Sequence, residues 1–190
     1  MSSIQTAPLH FHQLQLQGKA LNRLSRRLGD LGDIFYDQPA FADMQKDALV
    51  YEVVCSFPVP EGTEGGLFAG MTYIHPGRVG DEYFMTKGHF HQIRNRAEIY
   101  MCMEGEGMLI LMNEDRSLTW AETMRPGSIH YIGGYTAHRT ANTGIGILSF
   151  AAIWPADAGH DYATISVHGF SKILVDNVGV PTLVDRPRHI

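Results

Sequence analysis

From about residue 48 onward, apolar and polar side chains alternate in short runs separated by Gly, Pro and Asn-Asp turns. A period of two puts successive side chains on opposite faces of an extended chain, the pattern of strands half-buried against a core. The pattern predicts strands over 49–57, 67–75, 82–91, 98–103, 108–112, 119–124, 128–132, 138–142 and 145–154, with two more at 171–175 and 180–184. Turn signals fall between them, among them Gly105-Glu106-Gly107, Asn113-Glu114-Asp115, Pro126-Gly127 and Gly133-Gly134. Many short strands at regular spacing imply an antiparallel sandwich or barrel.

The first 47 residues carry a different pattern. Leu21, Leu24, Leu28 and Leu31 recur at helical spacing, with Arg23, Arg26 and Arg27 between them. This predicts a short helix whose arginines form a solvated face, balanced by Asp30 and Asp33 rather than offered to nucleic acid. Asp37-Gln38-Pro39 reads as a second helix start, with Asp37 as the cap and Pro39 in the first turn. The organisation expected is an N-terminal extension with short helices, 1–47, leading into a barrel, 48–190, as one domain overall.

Composition narrows this picture. Of the 190 residues, 44% are hydrophobic and 18% charged, which suits a globular domain and excludes a disordered chain. A net charge of −5 gives no general attraction to nucleic acid or anionic membrane, though it leaves local recognition of an anion open. Cys55 and Cys102 sit in apolar strands and are expected reduced. The N-terminus has no signal-peptide pattern, and the longest apolar stretch falls well short of the roughly 20 residues that cross a bilayer. These features suggest a cytoplasmic protein.

The chemistry concentrates around Gly88-His89-Phe90-His91, followed by Glu98 and Gly105 and later by His138 and Asn142. On a strand, His89 and His91 share a face while Phe90 points away, and Glu98, Tyr100 and Cys102 share a face of the next run. Three imidazoles and a carboxylate are the ligand set of a divalent transition metal. A second HxH, His10-Phe11-His12, lacks the following Glu and Gly and reads as an exposed pair.

These residues resemble the two motifs of the cupin superfamily. His89, His91, Glu98 and Gly105 form the first; Pro126-Gly127, His138 and Asn142 form the second. Two departures stand out: six residues separate His91 from Glu98, and Gly133-Gly134 replaces the proline usual before the last histidine. The longer gap, with Thr86-Lys87-Gly88-His89-Phe90-His91 and Arg96-Ala97-Glu98-Ile99-Tyr100, is similar to the cupin-type glucose-6-phosphate isomerases. So are Ala137-His138-Arg139-Thr140, the segment Pro155-Ala156-Asp157-Ala158-Gly159-His160-Asp161-Tyr162, and Gly169-Phe170-Ser171-Lys172.

The resemblance implies an all-β, single-domain cupin, a jelly-roll barrel of the double-stranded β-helix type. It implies metal-dependent interconversion of glucose 6-phosphate and fructose 6-phosphate. One divalent ion per subunit, iron(II) first, with manganese(II), nickel(II) or zinc(II) as substitutes, would sit on His89, His91, Glu98 and His138. Glu98 would double as the base that moves a proton between C1 and C2, with a metal-assisted hydride shift as the alternative path; Tyr100 would orient it or a substrate hydroxyl, and His160 would open the sugar ring. Tyr51, Thr72, Thr86, Gly88 and Tyr162 would hold the sugar phosphate, the glycine permitting close approach of an anion. Lys87, pointed away from Thr86 by alternation, is expected exposed. The resemblance further implies a homodimer. An iron-dependent dioxygenase and a non-catalytic sugar-phosphate-binding cupin are the rival readings, because fold alone does not choose.

Overall fold

The computed structural model describes residues 7–187. In chain order its strands are β1 (Leu9–His12), β2 (Gln15–Gly18), β3 (Leu21–Arg27), β4 (Leu49–Ser56), β5 (Leu67–Ile74), β6 (Arg78–Val79), β7 (Glu82–Tyr83) and β8 (Glu98–Glu104). They continue with β9 (Gly107–Asn113), β10 (Thr119–Met124), β11 (Ile129–Ile132), β12 (Thr136–Asn142), β13 (Leu148–Pro155), β14 (Lys172–Asn177) and β15 (Val180–Asp185). Two short helices, α1 (Gln38–Asp43) and α2 (Ala163–His168), and a 3₁₀ turn at Leu28–Leu31 complete the set.

One sheet runs β11-β8-β13-β5-β4-β3, and the wall facing it is built from β10-β9-β12 and β15-β14-β7-β6. Residues 84–90 join that second wall by bridging to β12, with Met85 opposite Ala141 and His89 opposite His138. Between the walls lies the core, with Phe35, Phe90, Phe150 and Phe170 among its fully buried side chains. Each buried aromatic of this kind contributes about 1.5–3 kcal/mol relative to exposure, so the closed barrel has a substantial apolar interior to hold it. The expectation of an all-β barrel is met.

Alternation predicted most barrel strands to within a few residues, but the strand expected over 82–91 is only Glu82–Tyr83, followed by isolated bridges at Met85, His89 and Phe90. In β8, Glu98, Tyr100 and Cys102 are buried while Ile99 and Met101 face outward. Gly105 (φ +82°) makes the turn after β8 possible: a Cβ there would lie 2.4 Å from the Ile147 carbonyl oxygen. Asn142 ties the turn after β12 to strand β5. Its Nδ2 donates to the Ile74 and Gly146 carbonyls, both at 2.8 Å, and its Oδ1 accepts from Gly144 N at 2.9 Å.

The N-terminal segment corrects the helical reading. Leu21–Arg27 is a strand paired antiparallel with β4, and only Leu28–Leu31 turns, as a single 3₁₀ element. The leucine spacing is helical by coincidence. Leu21 packs on the outer face against Leu16 and Met71, whereas Leu28 and Leu31 enter the main core from the turn that follows the strand. The predicted helix at Asp37 is present, with the Asp37 carboxylate accepting from Ala40 N at 2.9 Å. His10 and His12 lie exposed on the β1–β2 hairpin.

Candidate metal centre and substrate cavity

The barrel opens into a cavity of about 920 Å³ between the two walls. On one side, β12 and the bridged stretch 84–90 carry His138 and His89; on the other, β8 brings Glu98 and Tyr100. The imidazole nitrogens of His89, His91 and His138 lie within 4.8 Å of one another. Glu98 completes the group, with Oε1 2.9 Å from His138 Nε2 and Oε2 3.4 Å from His91 Nε2.

The donor chemistry fits a cation. His91 Nδ1 is 2.8 Å from the Arg96 carbonyl, which can only accept, so the proton sits on Nδ1 and Nε2 keeps its lone pair. His138 Nδ1 faces the Thr136 carbonyl in the same sense, at 3.4 Å. His89 Nε2, His91 Nε2, His138 Nε2 and Glu98 Oε1 are all buried and make no hydrogen bond of acceptable geometry. Buried polar atoms are normally paired, and four unpaired acceptors facing one another call for a positive charge among them.

Electrostatics agree. Burial pushes the Glu98 carboxyl upward, but the neighbouring His138 and His91 outweigh it and hold the group well below its ordinary value. Burial pulls His91 down, yet Glu98 more than reverses this, and the net shift is upward. The same pull that draws a proton to His91 would draw a metal ion. Burial, then the adjacent His138, drives His89 well below its usual range, leaving it a neutral donor. Tyr100 donates its hydroxyl to Glu98, and burial together with that carboxylate raises its pKa well above the normal phenol value.

The remaining candidate residues gather at the same cavity. His160 and Tyr162 stack nearly parallel, 5° apart, with ring centroids 4.5 Å and 5.2 Å from His89. Loss of hydration in the cavity lowers the His160 pKa although part of the ring faces the mouth. Tyr51, Thr72, Thr86 and Gly88 line the wall. Tyr51 is pushed up to about 12 by burial, then by Tyr162, while its oxygen accepts from the Lys87 backbone N–H. Thr86 Oγ1 accepts from Thr140 N at 3.0 Å, leaving its proton free to donate. Gly88 adopts φ +77°, and a Cβ there would lie 2.9 Å from Arg139 Cβ.

Two expectations change. Lys87 is not an exposed lysine: it lines the cavity, and its Nζ pairs with Asp33 at 2.9 Å. Residues 86–88 are not a strand, so the alternation on which the outward prediction depended does not hold there. Arg26, dismissed as part of a solvated helix face, lines the cavity because its segment is a strand.

The long gap between His91 and Glu98 also has a structural role. Arg96 makes a bidentate pair with Asp157, at 3.0 Å and 2.6 Å, and Arg94 pairs with Asp161. Backbone bonds join Asp161 N to the Phe90 carbonyl at 2.8 Å and Ile93 N to the Ala158 carbonyl at 2.9 Å. The loop thus clamps the segment bearing His160 and Tyr162 against the histidine pair. Arg96 lies in a segment that carries the resemblance, but nothing local in the sequence pairs either arginine with its distant carboxylate.

Fold and site together define a β-barrel whose cavity gathers three histidines that could hold a metal ion, with the Glu98 carboxylate beside them. The chain matches the model of the family described as Glucose-6-phosphate isomerase (GPI) over residues 25–186. It is 45% identical over 167 residues to a glucose-6-phosphate isomerase of Thermococcus kodakarensis, covering 87% of each chain. It is 44% identical over 168 residues to that of Pyrococcus horikoshii, again covering 87% of each. A putative glucose-6-phosphate isomerase 2 of Rhizobium meliloti is 33% identical over 174 residues, 90% of this chain and 84% of that one. Among solved structures, oxalate decarboxylase from Bacillus subtilis superposes with a TM-score of 0.45 at 17% identity, over 58% of this chain and 27% of that one. The chain belongs to the glucose-6-phosphate isomerase family and is an aldose–ketose isomerase interconverting glucose 6-phosphate and fructose 6-phosphate.

Proposed function

We propose that isomerisation takes place at the His89, His91, Glu98 and His138 cluster around a divalent ion, iron(II) in the native protein and replaceable by manganese(II), nickel(II) or zinc(II). The observation that carries this is the convergence of four buried donor atoms without hydrogen-bond partners at the cavity. When bound, such an ion would act as a Lewis acid toward the substrate oxygens at C1 and C2.

The chain's own residues then have separable tasks. His160, neutral at physiological pH because its pKa is lowered, takes the proton of the anomeric hydroxyl and returns it to the ring oxygen as the bond from that oxygen to the anomeric carbon breaks. Glu98 stays a carboxylate across the neutral range and takes the C2 proton, returning it to C1; the O2 hydroxyl proton passes to O1, so the reaction is balanced without a redox partner. Tyr100 stays protonated and fixes the Glu98 carboxylate by hydrogen bonding. Tyr51, Thr72, Thr86, Gly88 and Tyr162 offer hydroxyl and backbone donors to the chain and phosphate of the sugar.

Exposed Ile99, Met101, Ile129, Tyr131 and Ile153 form an apolar face outside the six-stranded sheet, which supports a homodimer. Pairing of β3 with β4 supports reading 1–47 and 48–190 as one domain. Placement in the cytoplasm, in glycolysis and gluconeogenesis, follows the family; among the described residues no helix is long and apolar enough to cross a membrane. Interconversion of the two sugar phosphates, followed by NMR on chelator-stripped protein reloaded with each metal, tests the assignment. Turnover that requires metal and disappears in His91→Ala is expected; undiminished turnover after complete metal removal would overturn it.

A further inference from the structure

The cavity wall contributed by β3 carries a charge that no catalytic task uses. Arg26 stands directly opposite Tyr51 in the β3–β4 register, and cross-strand partners project from the same face of a sheet. That face is the cavity side, and Arg26 lines the cavity together with Tyr51, Thr72, Thr86 and Gly88. Its charge is felt by two cavity phenols: burial raises both Tyr51 and Tyr162, and Arg26 pulls each partly back.

Arg23 also lines the cavity from the same strand, while two other charges on this wall are engaged. Lys87 Nζ is held by Asp33 at 2.9 Å, and the Asp30 carboxylate accepts from Arg27 N at 2.9 Å. Arg26 has no carboxylate partner among the described residues; its one hydrogen bond is from Nη1 to the Ser25 carbonyl at 3.3 Å. Two carboxylates, Asp30 and Glu61, also line the cavity, and Glu61 acts on His160. The cavity therefore offers a guanidinium with no carboxylate partner on the β3 wall.

We propose that Arg26 is the charge that locates the phosphate of the substrate, drawing the dianion toward Tyr51 and Thr86 and leaving the sugar's C1–C2 end for the metal cluster. A guanidinium matches a phosphate with two parallel N–H donors, whereas Thr, Tyr and backbone donors supply no net charge. Thr and Gly donors fix where the phosphate sits, and Arg26 neutralises it. The assignment rests on the isomerase reading for the identity of the ligand, but its geometry does not depend on turnover.

The test compares 6-phosphogluconate with gluconate by calorimetry on the metal-loaded protein; neither ligand can isomerise, and they differ only in the phosphate. Wild type should prefer the phosphorylated acid. Arg26→Gln should weaken 6-phosphogluconate binding by about 10- to 100-fold with gluconate affinity unchanged, and Arg26→Lys should recover part of the loss. In turnover the same variant should raise KM for fructose 6-phosphate while kcat stays within a few-fold. Arg125→Gln, at an exposed turn remote from the cavity, controls for net charge. Thermal melts verify folding, and Arg26→Met carries the same prediction should the glutamine variant be unstable. Unchanged 6-phosphogluconate affinity in folded Arg26→Gln or Arg26→Met would overturn the proposal, as would a wild type that binds both acids equally. Wild type that shows the Arg26-dependent preference but no isomerase activity would instead sink the isomerase reading and leave the phosphate assignment standing.

Discussion

The strands that carry the metal candidates and the strand that carries Arg26 line one cavity, yet they expose their roles in opposite ways. β8, β12 and the 84–90 stretch contribute side chains with few alternative explanations: imidazoles and a carboxylate, buried, on alternating positions facing a common point. β3 contributes an arginine from an edge strand in which most residues are exposed. Chemistry that needs buried ligands leaves a pattern in the sequence. Chemistry that needs a charge at a rim leaves one arginine among several.

The largest effect expected from breaking this contrast lies on the ligand side. His138→Ala should lower kcat/KM by about 10³-fold or more, because a lost ligand removes the ion and several kcal/mol of transition-state stabilisation with it. Kinetics and metal content, measured together, check this; retained metal with retained activity would remove His138 from the ligand set. Gly88→Ala attacks the link between the two regions. With φ +77° and Phe170 only 3.0 Å and Arg139 only 2.9 Å from the new Cβ, it should cost about 1–3 kcal/mol and lower Tm. KM should rise more than kcat falls, since the phosphate-side donors move with the backbone.

A smaller effect concerns acid stability. Asp161 is pulled from 3.8 to about 2, first by its hydrogen bond with Arg94 and then by those from Thr164. A depressed carboxylate contributes stability that is complete above its unfolded pKa and lost as pH falls through the folded one. Unfolding followed between pH 5 and 2 should therefore show an acid limb that flattens in Asp161→Asn; an unchanged limb would assign acid sensitivity elsewhere. Asp37→Ala is expected to cost least, about 1 kcal/mol from loss of the α1 cap, with activity unaltered. A comparable loss of activity would mean that the N-terminal segment sets cavity geometry more tightly than its packing indicates.

The barrel and the gathering of His89, His91, Glu98 and His138 at one point were legible because strand periodicity and metal chemistry impose independent constraints on the same residues. Glu98, Tyr100 and Cys102 had to share a face, and they do. The N-terminal segment was misread because Leu21, Leu24, Leu28 and Leu31 imitate a helix while serving different layers. Strand β3 has solvent at its free edge, so no second neighbour enforces clean alternation along it. Lys87 was misplaced because residues 86–88 are not a strand, so a period of two does not hold there. Pairings between distant segments, such as Arg96 with Asp157, depend on tertiary proximity that local patterns do not encode.

Those pairings have a consequence for how this protein can be altered. Arg96 and Asp157 are 61 residues apart in the chain, and Arg94 and Asp161 are 67 apart, yet the two pairs fasten one loop to the other. The loops are a single interchangeable part. A chimera that exchanges 92–97 alone would leave Asp157 and Asp161 without counterions and let His160 drift from His89, whatever ligands it preserved. A transplant of the four proposed metal ligands into another barrel would leave behind His160 and Tyr162, which the paired loops hold beside His89. Swapping both loops together is the smallest exchange that could move sugar handling from one cupin to another.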